Sequence, residues 1–350
     1  MPHQIDMIMD FQYGSTGKGL IAGWLAKREK YDTAVCAFAT NAGHTYTDAE
    51  RRLHVMTQQL PTSITSPTVK NILIGPGAAI HVDTLLDEMI LYGELLKDKN
   101  ILIHPQAAIV EDYHAEFEKS DGRTKMGSTA KGVGEAYIER MRRNPETNNT
   151  AKNRLKESVL IDLICTEREY RDVLNKSEAV IVEGAQGFSL SMYHGQYPYV
   201  TSRDVTPWQI AADCGLPYSW ASYIKVIGTL RTFPIRVSNR DGSSGPCYPD
   251  QREIAWQDIG REPELTTVTK LPRRIFTFSQ QQLDEALFHC GGYWDTRLFL
   301  NFANYLDIGD VEDLIHSIEK PHVLSKNPPK VVWVGYGPDD DDVDVLVAER

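Results

Sequence analysis

Short apolar runs alternate with helical stretches along this chain. The run Ile5–Phe11 predicts a first, buried strand, the glycine-rich segment Gly14–Gly19 interrupts the run, and Leu20–Lys30 has helical character. A strand, a glycine-rich turn and a helix, in this order, are typical of the opening of an α/β nucleotide-binding unit.

The same alternation continues to the end of the chain. Further strands are predicted at Thr33–Ala39, Asn71–Ile74, Ile101–Ile103, Ala179–Glu183 and Val331–Val334. Helices are predicted at Asp83–Leu96, Glu135–Arg143 and Arg154–Asn175. This order favours an α/β fold with a large, mostly parallel sheet, whose ligands lie at the carboxyl ends of the strands.

No linker divides the chain, so we expect a single domain spanning residues 1–350 with loop insertions. Two polar, glycine-bearing loops are predicted, a mobile one at Glu118–Gly134 and another at Arg240–Pro249. An acidic C-terminal tail is expected over residues 339–350.

Composition narrows the possible functions. The chain has 37 Lys and Arg against 48 Asp and Glu, a net charge of −11, which disfavours a nucleic-acid binder. The apolar runs are far shorter than the roughly 18 residues that span a bilayer, and no secretion signal is visible. Five scattered cysteines without a C-x-x-C pair indicate a reducing, cytoplasmic setting and no zinc site.

The segment Gly14–Gly19, hereafter the glycine loop, is a candidate phosphate site. Its glycines allow backbone N–H groups to approach phosphate oxygens, and Lys18 adds a point charge. The strict P-loop pattern fails, because Gln12 stands at its first glycine and Gly19 at its Ser/Thr. An ordinary strand-to-helix turn is the alternative.

Three further segments carry groups suited to a nucleotide. His44, in Asn41–Thr45, can hydrogen-bond an oxyanion or a phosphate, although a structural loop histidine is the alternative. Gly127–Gly132, followed by three arginines, suits a phosphate, with a solvated basic helix face as the alternative. Gln186 can read a base edge, and Thr201 can hold a phosphate.

Five motifs, GSTGKG, NAGHT, MGSTAKGVGEAY, VEGAQG and YPYVTS, resemble in order and spacing those of the adenylosuccinate synthetases. The resemblance runs from about residue 5 to residue 338. It implies a fold related to the P-loop NTPases, a homodimer, and a ligase that uses a nucleoside triphosphate and Mg²⁺. In that family the 6-oxygen of a purine nucleotide is phosphorylated, and the amine of L-aspartate then displaces the phosphate.

The resemblance also implies roles for individual residues. Catalysis falls to Ser15, Lys18 and His44, and Ser15 and the Gly43 carbonyl are the metal ligands. The nucleoside monophosphate would be bound by Ser15, Asn41, Ser128, Thr129, Gln186, Thr201 and a neighbouring subunit's Arg143. The triphosphate would be bound by Ser15, Thr16, Gly17, Lys18, Gly19, Gly43, His44, Thr45, Arg274, Asn304, Gly335, Tyr336, Gly337 and Pro338. Aspartate would be bound by Val268, Thr269, Lys270, Leu271 and Arg273, with Arg236 as a second cation nearby.

One departure from the family pattern bears on the substrate. The family's G-D-E-G-K-G has an aspartate, its general base and magnesium ligand, where this chain has Ser15, and a glutamate where it has Thr16. A hydroxyl is a poor base at neutral pH, but it leaves room beside purine N1 for the 2-amino group of guanine. This substitution marks the phage-encoded 2-aminoadenylosuccinate synthetases, which act on dGMP. Loss of catalysis is the alternative.

Two more departures concern the sugar and the phosphate donor. In the family's T-T-G-R-x-R-R, Leu271 replaces an arginine, and an apolar side chain beside C2′ suits a deoxyribose. In the family's T-K-L-D, Asn304 replaces the guanine-reading aspartate, and a side-chain amide can pair with adenine. Drift of this end of the chain, with a one-residue slip in the match, is the alternative.

The sequence therefore predicts a C–N ligase that uses ATP or dATP to join L-aspartate to dGMP. The products would be N6-succino-2-amino-2′-deoxyadenylate, ADP and phosphate, on the way to 2-aminoadenine in DNA. An ordinary adenylosuccinate synthetase using IMP and GTP is one rival, and a catalytically silent nucleotide-binding protein is another. The expected location is the cytoplasm, that of the host if the protein is phage-encoded.

Overall fold

The computed structural model describes residues 1–28, 31–239, 242–266, 270–291, 296–320 and 328–346. The strands are β1 Gln4–Asp10, β2 Thr33–Cys36, β3 His44–Asp48, β4 Leu53–Thr57, β5 Asn71–Ile74, β6 Ala79–Ile80, β7 Asn100–Ile103, β8 Ala108–Ile109, β9 Ala179–Gly187, β10 Ile224–Arg231, β11 Ile235–Arg236, β12 Glu253–Ile254, β13 Arg274–Phe276, β14 Arg297–Asn301, β15 Lys330–Gly335 and β16 Val343–Val345. The α-helices are α1 Lys18–Arg28, α2 Val82–Leu91, α3 Gly93–Leu96, α4 Asp112–Ser120, α5 Val133–Met141, α6 Ala151–Arg154, α7 Glu167–Lys176, α8 Pro207–Asp213, α9 Gln280–Cys290 and α10 Ile308–Ile318.

Nine strands form the main sheet, in the order β16-β15-β14-β10-β1-β9-β2-β5-β7. Every neighbouring pair is parallel except β15 and β16. Ile5, Met7, Ile8 and Met9 of the central strand β1 are all buried, as expected when both faces of a parallel sheet are covered. The predicted fold class agrees with this architecture.

Smaller sheets lie around the main one. Strands β3 and β4 form an antiparallel hairpin, β11, β13 and β12 form an antiparallel sheet in that order, and β6 pairs with β8 in parallel. Among the described residues, no helix is both long and apolar enough to cross a bilayer.

Two predicted helices differ from those observed. The helix expected at Arg154–Asn175 is replaced by α6, a 3₁₀ turn at Ile161–Leu163, and α7. Helix α7 starts separately because Thr166 and Glu169 form a reciprocal N-terminal capping box. The helix expected at Asp83–Leu96 is divided into α2 and α3 at Tyr92.

The loop predicted at Glu118–Gly134 is only partly a loop. It contains the end of α4, a 3₁₀ turn at Arg123–Met126 and the start of α5. The carboxylate of Glu118 accepts hydrogen bonds from the N–H groups of Gly132 and Gly134, both at 2.8 Å. The segment is therefore tied back onto α4.

The acidic segment expected to be a tail over residues 339–350 is instead folded within its described part, residues 339–346. Asp340–Asp342 form a 3₁₀ turn, and β16 adds an antiparallel edge strand to the main sheet. The side chain of Asp340 is buried and bonded to α1 and β3, so this acidic run is built into the fold. Residues 347–350 lie outside the described part of the chain.

Candidate active site

The predicted motifs converge at one edge of the main sheet. Because the strands are parallel, the segments that follow β1, β2, β9, β10, β14 and β15 all leave the sheet at its carboxyl edge. The glycine loop follows β1, and Asn41–Thr45 follow β2. Gln186 is the next-to-last residue of β9, and Gly335–Pro338 begin with the last residue of β15. Motifs far apart in sequence are thereby brought together.

Ser15 stands at the exposed apex of the glycine loop, in a left-handed conformation with φ of 58°. Gly17 has φ of 91°, and a Cβ added there would lie 2.1 Å from Nδ2 of Asn301. A Cβ on Gly19 would lie 2.8 Å from the backbone of Thr45. These close approaches explain why the loop is rich in glycine.

Asp10 organises the loop from below. Its Oδ1 accepts from the N–H groups of Gln12 at 2.8 Å and Gly14 at 3.2 Å, and its Oδ2 lies 3.3 Å from Nζ of Lys18. The hydroxyl of Thr16 donates to the same Oδ2 at 2.5 Å and is fully buried. The Thr16 side chain is therefore turned away from any nucleotide, which limits the predicted Thr16 contact to its backbone.

His44 is held by a glutamate that the sequence prediction did not assign. Its Nδ1 lies 2.6 Å from Oε1 of Glu183, and its ring stacks on Phe38 with centroids 4.3 Å apart. The other oxygen of Glu183 accepts from the N–H and the hydroxyl of Thr62 at 2.9 and 3.2 Å. A carboxylate accepting from Nδ1–H leaves Nε2 of His44 for a substrate oxygen. Glu183 entered the sequence prediction only as a member of the VEGAQG motif, which carries no sign of its pairing with His44.

Asn41 and Gln186 meet as predicted candidates for the monophosphate site. The Gln186 amide nitrogen donates to Oδ1 of Asn41 at 3.1 Å, and Gln186 is itself in a left-handed conformation with φ of 58°. Arg203, a residue that the sequence prediction missed, donates to the Gln186 side-chain oxygen at 3.5 Å and to the Ala37 carbonyl at 2.8 Å. Arg203 thus connects the Gln186 side chain to the segment that follows β2.

The candidate phosphate residues fall into two groups. Thr40 donates to the Lys131 carbonyl at 3.0 Å, which ties the segment of Ser128 and Thr129 to the loop of Asn41. Thr201 lies beyond β9, where its N–H donates to the Leu190 carbonyl at 2.7 Å.

Arg143 is exposed just beyond α5, with φ of 51°. Within the described residues its guanidinium has no hydrogen-bond or ion-pair partner. This lack of a partner among the described residues is consistent with a contact across subunits.

The segment Glu264–Arg274, hereafter the aspartate segment, is described except at residues 267–269, so predicted ligands Val268 and Thr269 lie outside the described residues. Lys270 is exposed, with φ of 55°, and the N–H of Leu271 donates to the Thr266 hydroxyl at 3.1 Å. Burial lowers the pKa of the Arg273 guanidinium, and the described residues give it no hydrogen-bond partner. A half-buried cation of this kind suits a carboxylate ligand.

Two arginines assigned to ligands are used inside the protein. Arg236 is buried and donates to the carbonyls of Ser244 at 2.9 Å and Tyr199 at 3.3 Å. Arg274 binds Glu253 through two bonds of 2.8 and 2.6 Å, with a third donor taken at 2.6 Å by the carbonyl of residue 245. These bonds argue against Arg236 as a second aspartate cation and against Arg274 as a triphosphate ligand.

At the other end of the site, Asn301 joins two loops. Its Nδ2 donates to the Thr16 carbonyl at 3.4 Å, and a Cβ on Gly335 would lie 2.4 Å from its Oδ1. Asn304, the predicted base reader, is exposed in the 3₁₀ turn Ala303–Tyr305. The amide that braces the loops is therefore Asn301, and the amide free to meet a base is Asn304.

The metal ligands predicted at Ser15 and Gly43 are both exposed at the carboxyl edge. Within the described ranges, no group of three or more His, Cys, Asp or Glu side chains could hold a metal ion. Asp10, the acid below the glycine loop, is already bonded. This donor set fits a magnesium ion held mainly by phosphate oxygens, with at most two protein oxygens.

Sequence comparison decides the family. The sequence model of adenylosuccinate synthetase matches residues 7–159 and 145–291. The chain belongs to the adenylosuccinate synthetase family. The adenylosuccinate synthetase of Pyrococcus horikoshii is 32% identical over 78% of this chain and 76% of its own length.

Phage members of the family are more similar. The N6-succino-2-amino-2′-deoxyadenylate synthase of Salmonella phage PMBT28 is 44% identical over 97% of this chain and 96% of its own length. The protein of the same name from cyanophage S-2L is 43% identical over 97% and 91%.

Solved structures agree with the family assignment. The cyanophage S-2L succinoaminodeoxyadenylate synthetase (PurZ), bound to dGMP and to dATP as an energy donor, superposes with a TM-score of 0.91 at 41% identity over 99% of this chain and 97% of that one. The fully ligated adenylosuccinate synthetase of Plasmodium falciparum, at 18% identity and a TM-score of 0.74, shares the fold. The predicted family and fold class are confirmed.

Proposed function

We propose that this protein joins L-aspartate to the 6-position of dGMP at the expense of ATP or dATP. The products are N6-succino-2-amino-2′-deoxyadenylate, the nucleoside diphosphate and phosphate. The observation that carries the proposal is Ser15, a short hydroxyl at the exposed apex of the glycine loop, where the family pattern has aspartate. Full-length relatives at 42–44% identity that bear the corresponding name support it.

Ser15 accounts for the choice of purine. Guanine carries an amino group next to N1, and a serine leaves space there that an aspartate would fill. Rejection by a group that does not fit is an effective source of selectivity between similar substrates.

The first step transfers the γ-phosphoryl group to the 6-oxygen. The oxygen attacks the γ-phosphorus, the bond to the β–γ bridging oxygen breaks, and the N1 proton leaves guanine. Lys18 and the N–H groups of the glycine loop bind the transferred phosphate. Nε2 of His44 stabilises the charge on the 6-oxygen, and Glu183, 2.6 Å from Nδ1, stabilises the imidazolium form. Ser15 takes the position of the base and relays the N1 proton to solvent.

The second step replaces the phosphate by aspartate. The aspartate amine attacks C6, and the bond between C6 and the phosphorylated oxygen breaks. The Arg273 guanidinium binds an aspartate carboxylate. Ser15 and the Gly43 carbonyl would hold a magnesium ion together with triphosphate oxygens, and that ion would neutralise charge on the phosphates.

The remaining contacts bind and orient the two nucleotides. The 5′-phosphate of dGMP is bound by Ser128, Thr129, Thr201 and Arg143 of the partner subunit in a homodimer. Leu271 lies beside C2′ of the deoxyribose, and Asn304 reads the adenine of the phosphate donor. Because the similar proteins come from phages, the reaction belongs in the cytoplasm of an infected host.

A substrate panel tests the proposal. Purified protein is incubated with Mg²⁺, aspartate, one of dGMP, GMP or IMP, and one of ATP, dATP or GTP, and the products are identified by mass. We expect turnover with dGMP and an adenine triphosphate. Turnover with IMP and GTP alone would identify an ordinary adenylosuccinate synthetase, and binding without turnover of any pair would identify a silent nucleotide-binding protein.

A further inference from the structure

Arg231 lies where the segments for three substrates meet. It ends β10 at the carboxyl edge, between β1 and β14, and its side chain is 0% exposed. Gln12 clamps its backbone, accepting from the Arg231 N–H at 2.9 Å and donating to the carbonyl at 3.2 Å. The side chain therefore starts from a fixed point.

The guanidinium contacts one residue in each segment. Nη1 donates to the Ser15 carbonyl at 3.2 Å, and Nη1 and Nη2 bind the Glu264 carboxylate at 3.3 and 2.5 Å. Its carbon lies 3.8 Å from the ring centroid of Phe302. These residues belong to the glycine loop, the aspartate segment and the turn that carries Asn304.

Glu264 extends the connection toward the aspartate ligand. Its backbone carbonyl accepts from the N–H of Arg273 at 2.8 Å, and its carboxylate also accepts from the Tyr305 hydroxyl at 3.0 Å. Burial raises the pKa of the Glu264 carboxyl, but the charge and hydrogen bonds of Arg231 outweigh burial and lower it. The Glu264 carboxylate is thus ionised, and a continuous series of contacts runs from Arg273 through Glu264 and Arg231 to Ser15.

Ser15 depends on this contact. A serine with φ of 58° is in a sparsely populated backbone region that surrounding bonds must maintain. Among the described residues, the Arg231 guanidinium is the donor to its carbonyl, while Nε of Arg231 is buried without a partner.

We propose that Arg231 is a positioning residue that couples the aspartate segment to Ser15, so that Ser15 is aligned with the purine when aspartate is bound. This rests on the proposed function of the site. Arg231 itself does not contact substrate in this proposal, and it acts by aligning Ser15 and Arg273.

The decisive variants remove the pair without leaving a buried charge. Arg231→Met alone would leave the Glu264 carboxylate buried and unpaired, so the double variant Arg231→Met/Glu264→Gln is compared with the wild type. A second variant, Arg231→Lys, keeps the positive charge but loses the planar guanidinium that reaches both the Ser15 carbonyl and the Glu264 carboxylate. Arg297→Met/Asp6→Asn is the matched control, because Arg297 binds the buried Asp6 carboxylate at 2.5 Å over the Trp333 ring at the opposite edge of the same sheet, and this double change also leaves no buried charge.

We expect the double variant to lose about 100-fold in kcat, the scale of a misplaced catalytic group, and to show about a tenfold higher KM for aspartate. Its Kd for dGMP, measured by calorimetry without aspartate, should stay within about threefold of the wild type. The kcat and the KM for aspartate of Arg231→Lys should lie between those of the wild type and the double variant. The Arg297→Met/Asp6→Asn control should lower the melting temperature with kcat and KM unchanged.

A double variant that is folded and has wild-type kcat and KM would overturn the coupling role. If the double variant does not fold, Arg231→Lys decides, since wild-type kinetics in it would equally overturn the role. These outcomes differ from a failure of the proposed function, in which the wild type itself does not ligate aspartate to dGMP.

Discussion

Ser15 combines an unusual backbone with an unusual side chain for its position. Its left-handed conformation suits asparagine and aspartate better than most residues, so larger polar side chains can be introduced without unfolding the loop. The effects of side-chain size and of charge can therefore be tested separately at residue 15.

Ser15→Asp should lower kcat/KM for dGMP about tenfold to a hundredfold, because two added heavy atoms crowd the 2-amino group. It should raise turnover of IMP, since a carboxylate is a better base than a hydroxyl. Ser15→Asn is the matched control, of equal size without charge, and should impair dGMP use without any gain on IMP. Unchanged dGMP turnover in Ser15→Asp, together with no gain on IMP, would contradict the selectivity role.

Asn304 and Asn301 lie three residues apart and differ in their surroundings. Asn301 is 4% exposed and braces two loops, while Asn304 is exposed and its carbonyl is bonded by Arg261. Of these two side chains, that of Asn304 is the one free to exchange hydrogen bonds with a base.

The wild type should use ATP and dATP in preference to GTP, and Asn304→Asp should shift the ratio toward GTP. An amide matches adenine's adjacent acceptor and donor, and a carboxylate matches guanine's two donors. A mispaired buried group costs about 1–3 kcal/mol, or roughly tenfold to a hundredfold in affinity. The measurement is kcat/KM for each triphosphate at saturating dGMP and aspartate. A wild-type preference for GTP would exclude this role, and an unchanged ratio in the variant would show that another residue reads the base.

Motif residues could be selected from the sequence because their chemistry is local. Lys18 and His44 each lie in a short segment whose neighbours already indicate a phosphate or an oxyanion. Glu183, Arg203 and Arg231 could not be assigned in this way, because their partners lie in other segments of the chain, as with His44 and Glu183, 139 residues apart. Only the order of the strands brings such pairs together.

At the level of elements, the hairpin β3–β4 that begins with His44 is held to α1 by charged bonds. Lys27 of α1 donates to Asp48 at 3.0 Å and to Asp340 at 2.9 Å. Asp48 also accepts from Nε of Arg51 at 2.6 Å, and Tyr46 donates to Asp340 at 3.0 Å. The 3₁₀ turn after β15 thus takes part in holding the hairpin.

Asp48→Asn should lower the free energy of unfolding by about 2 kcal/mol at pH 7. Burial raises the pKa of the Asp48 carboxyl, but hydrogen bonds from Arg51 and Lys27 prevail and lower it to about 2. A lowered pKa stabilises the folded state above the unfolded-state value of about 4, and this contribution is lost as pH falls toward 2. The gap between wild type and variant, measured by urea denaturation, should therefore narrow from pH 5 to pH 3.

The matched control is Asp87→Asn, which changes an exposed carboxylate on α2. Its free energy of unfolding should stay within about 0.5 kcal/mol of the wild type at both pH 5 and pH 3. A gap between wild type and Asp48→Asn that stays constant with pH would show that the carboxylate does not act through its charge.

Elements with a strong local pattern were predictable, and those defined by long-range packing were not. Asn71–Ile74 is observed as predicted, because a short apolar run between turn residues fits a buried strand. Strands β10 and β14, which flank the site, are absent from the sequence prediction. Their apolar runs are short, and β14 lies immediately after a segment without helical or strand pattern. Their place in the sheet depends on pairing with β1 and with each other.

At the level of the whole molecule, the proposed homodimer would place Arg143 in a site shared between two copies of the chain. It is exposed and its guanidinium has no partner within the part of the chain that the structure describes. An arginine that binds no group of its own chain is well placed to bind a phosphate on another.

Subunits of Arg143→Leu and subunits of His44→Ala should each be nearly inactive alone. After exchange in a mixture, about a quarter of the original activity should return, because each hybrid dimer contains one site with both residues intact. The measurement is the rate of dGMP-dependent phosphate release before and after mixing. Activity that does not recover in a mixture shown to exchange by mass spectrometry would mean that each chain completes its own site.

The central position of β1 also determines the order in which the protein can be finished during synthesis. Ile5 pairs with Val180 on one side and with Ile224 on the other, so both neighbours of the first strand are translated long after it. At about 5–20 residues per second, β1 waits roughly 10–40 s before β10 exists. The apolar side chains of β1 must be shielded on the ribosome for that time. The glycine loop that follows β1 cannot take its final form in a nascent chain that ends before β10.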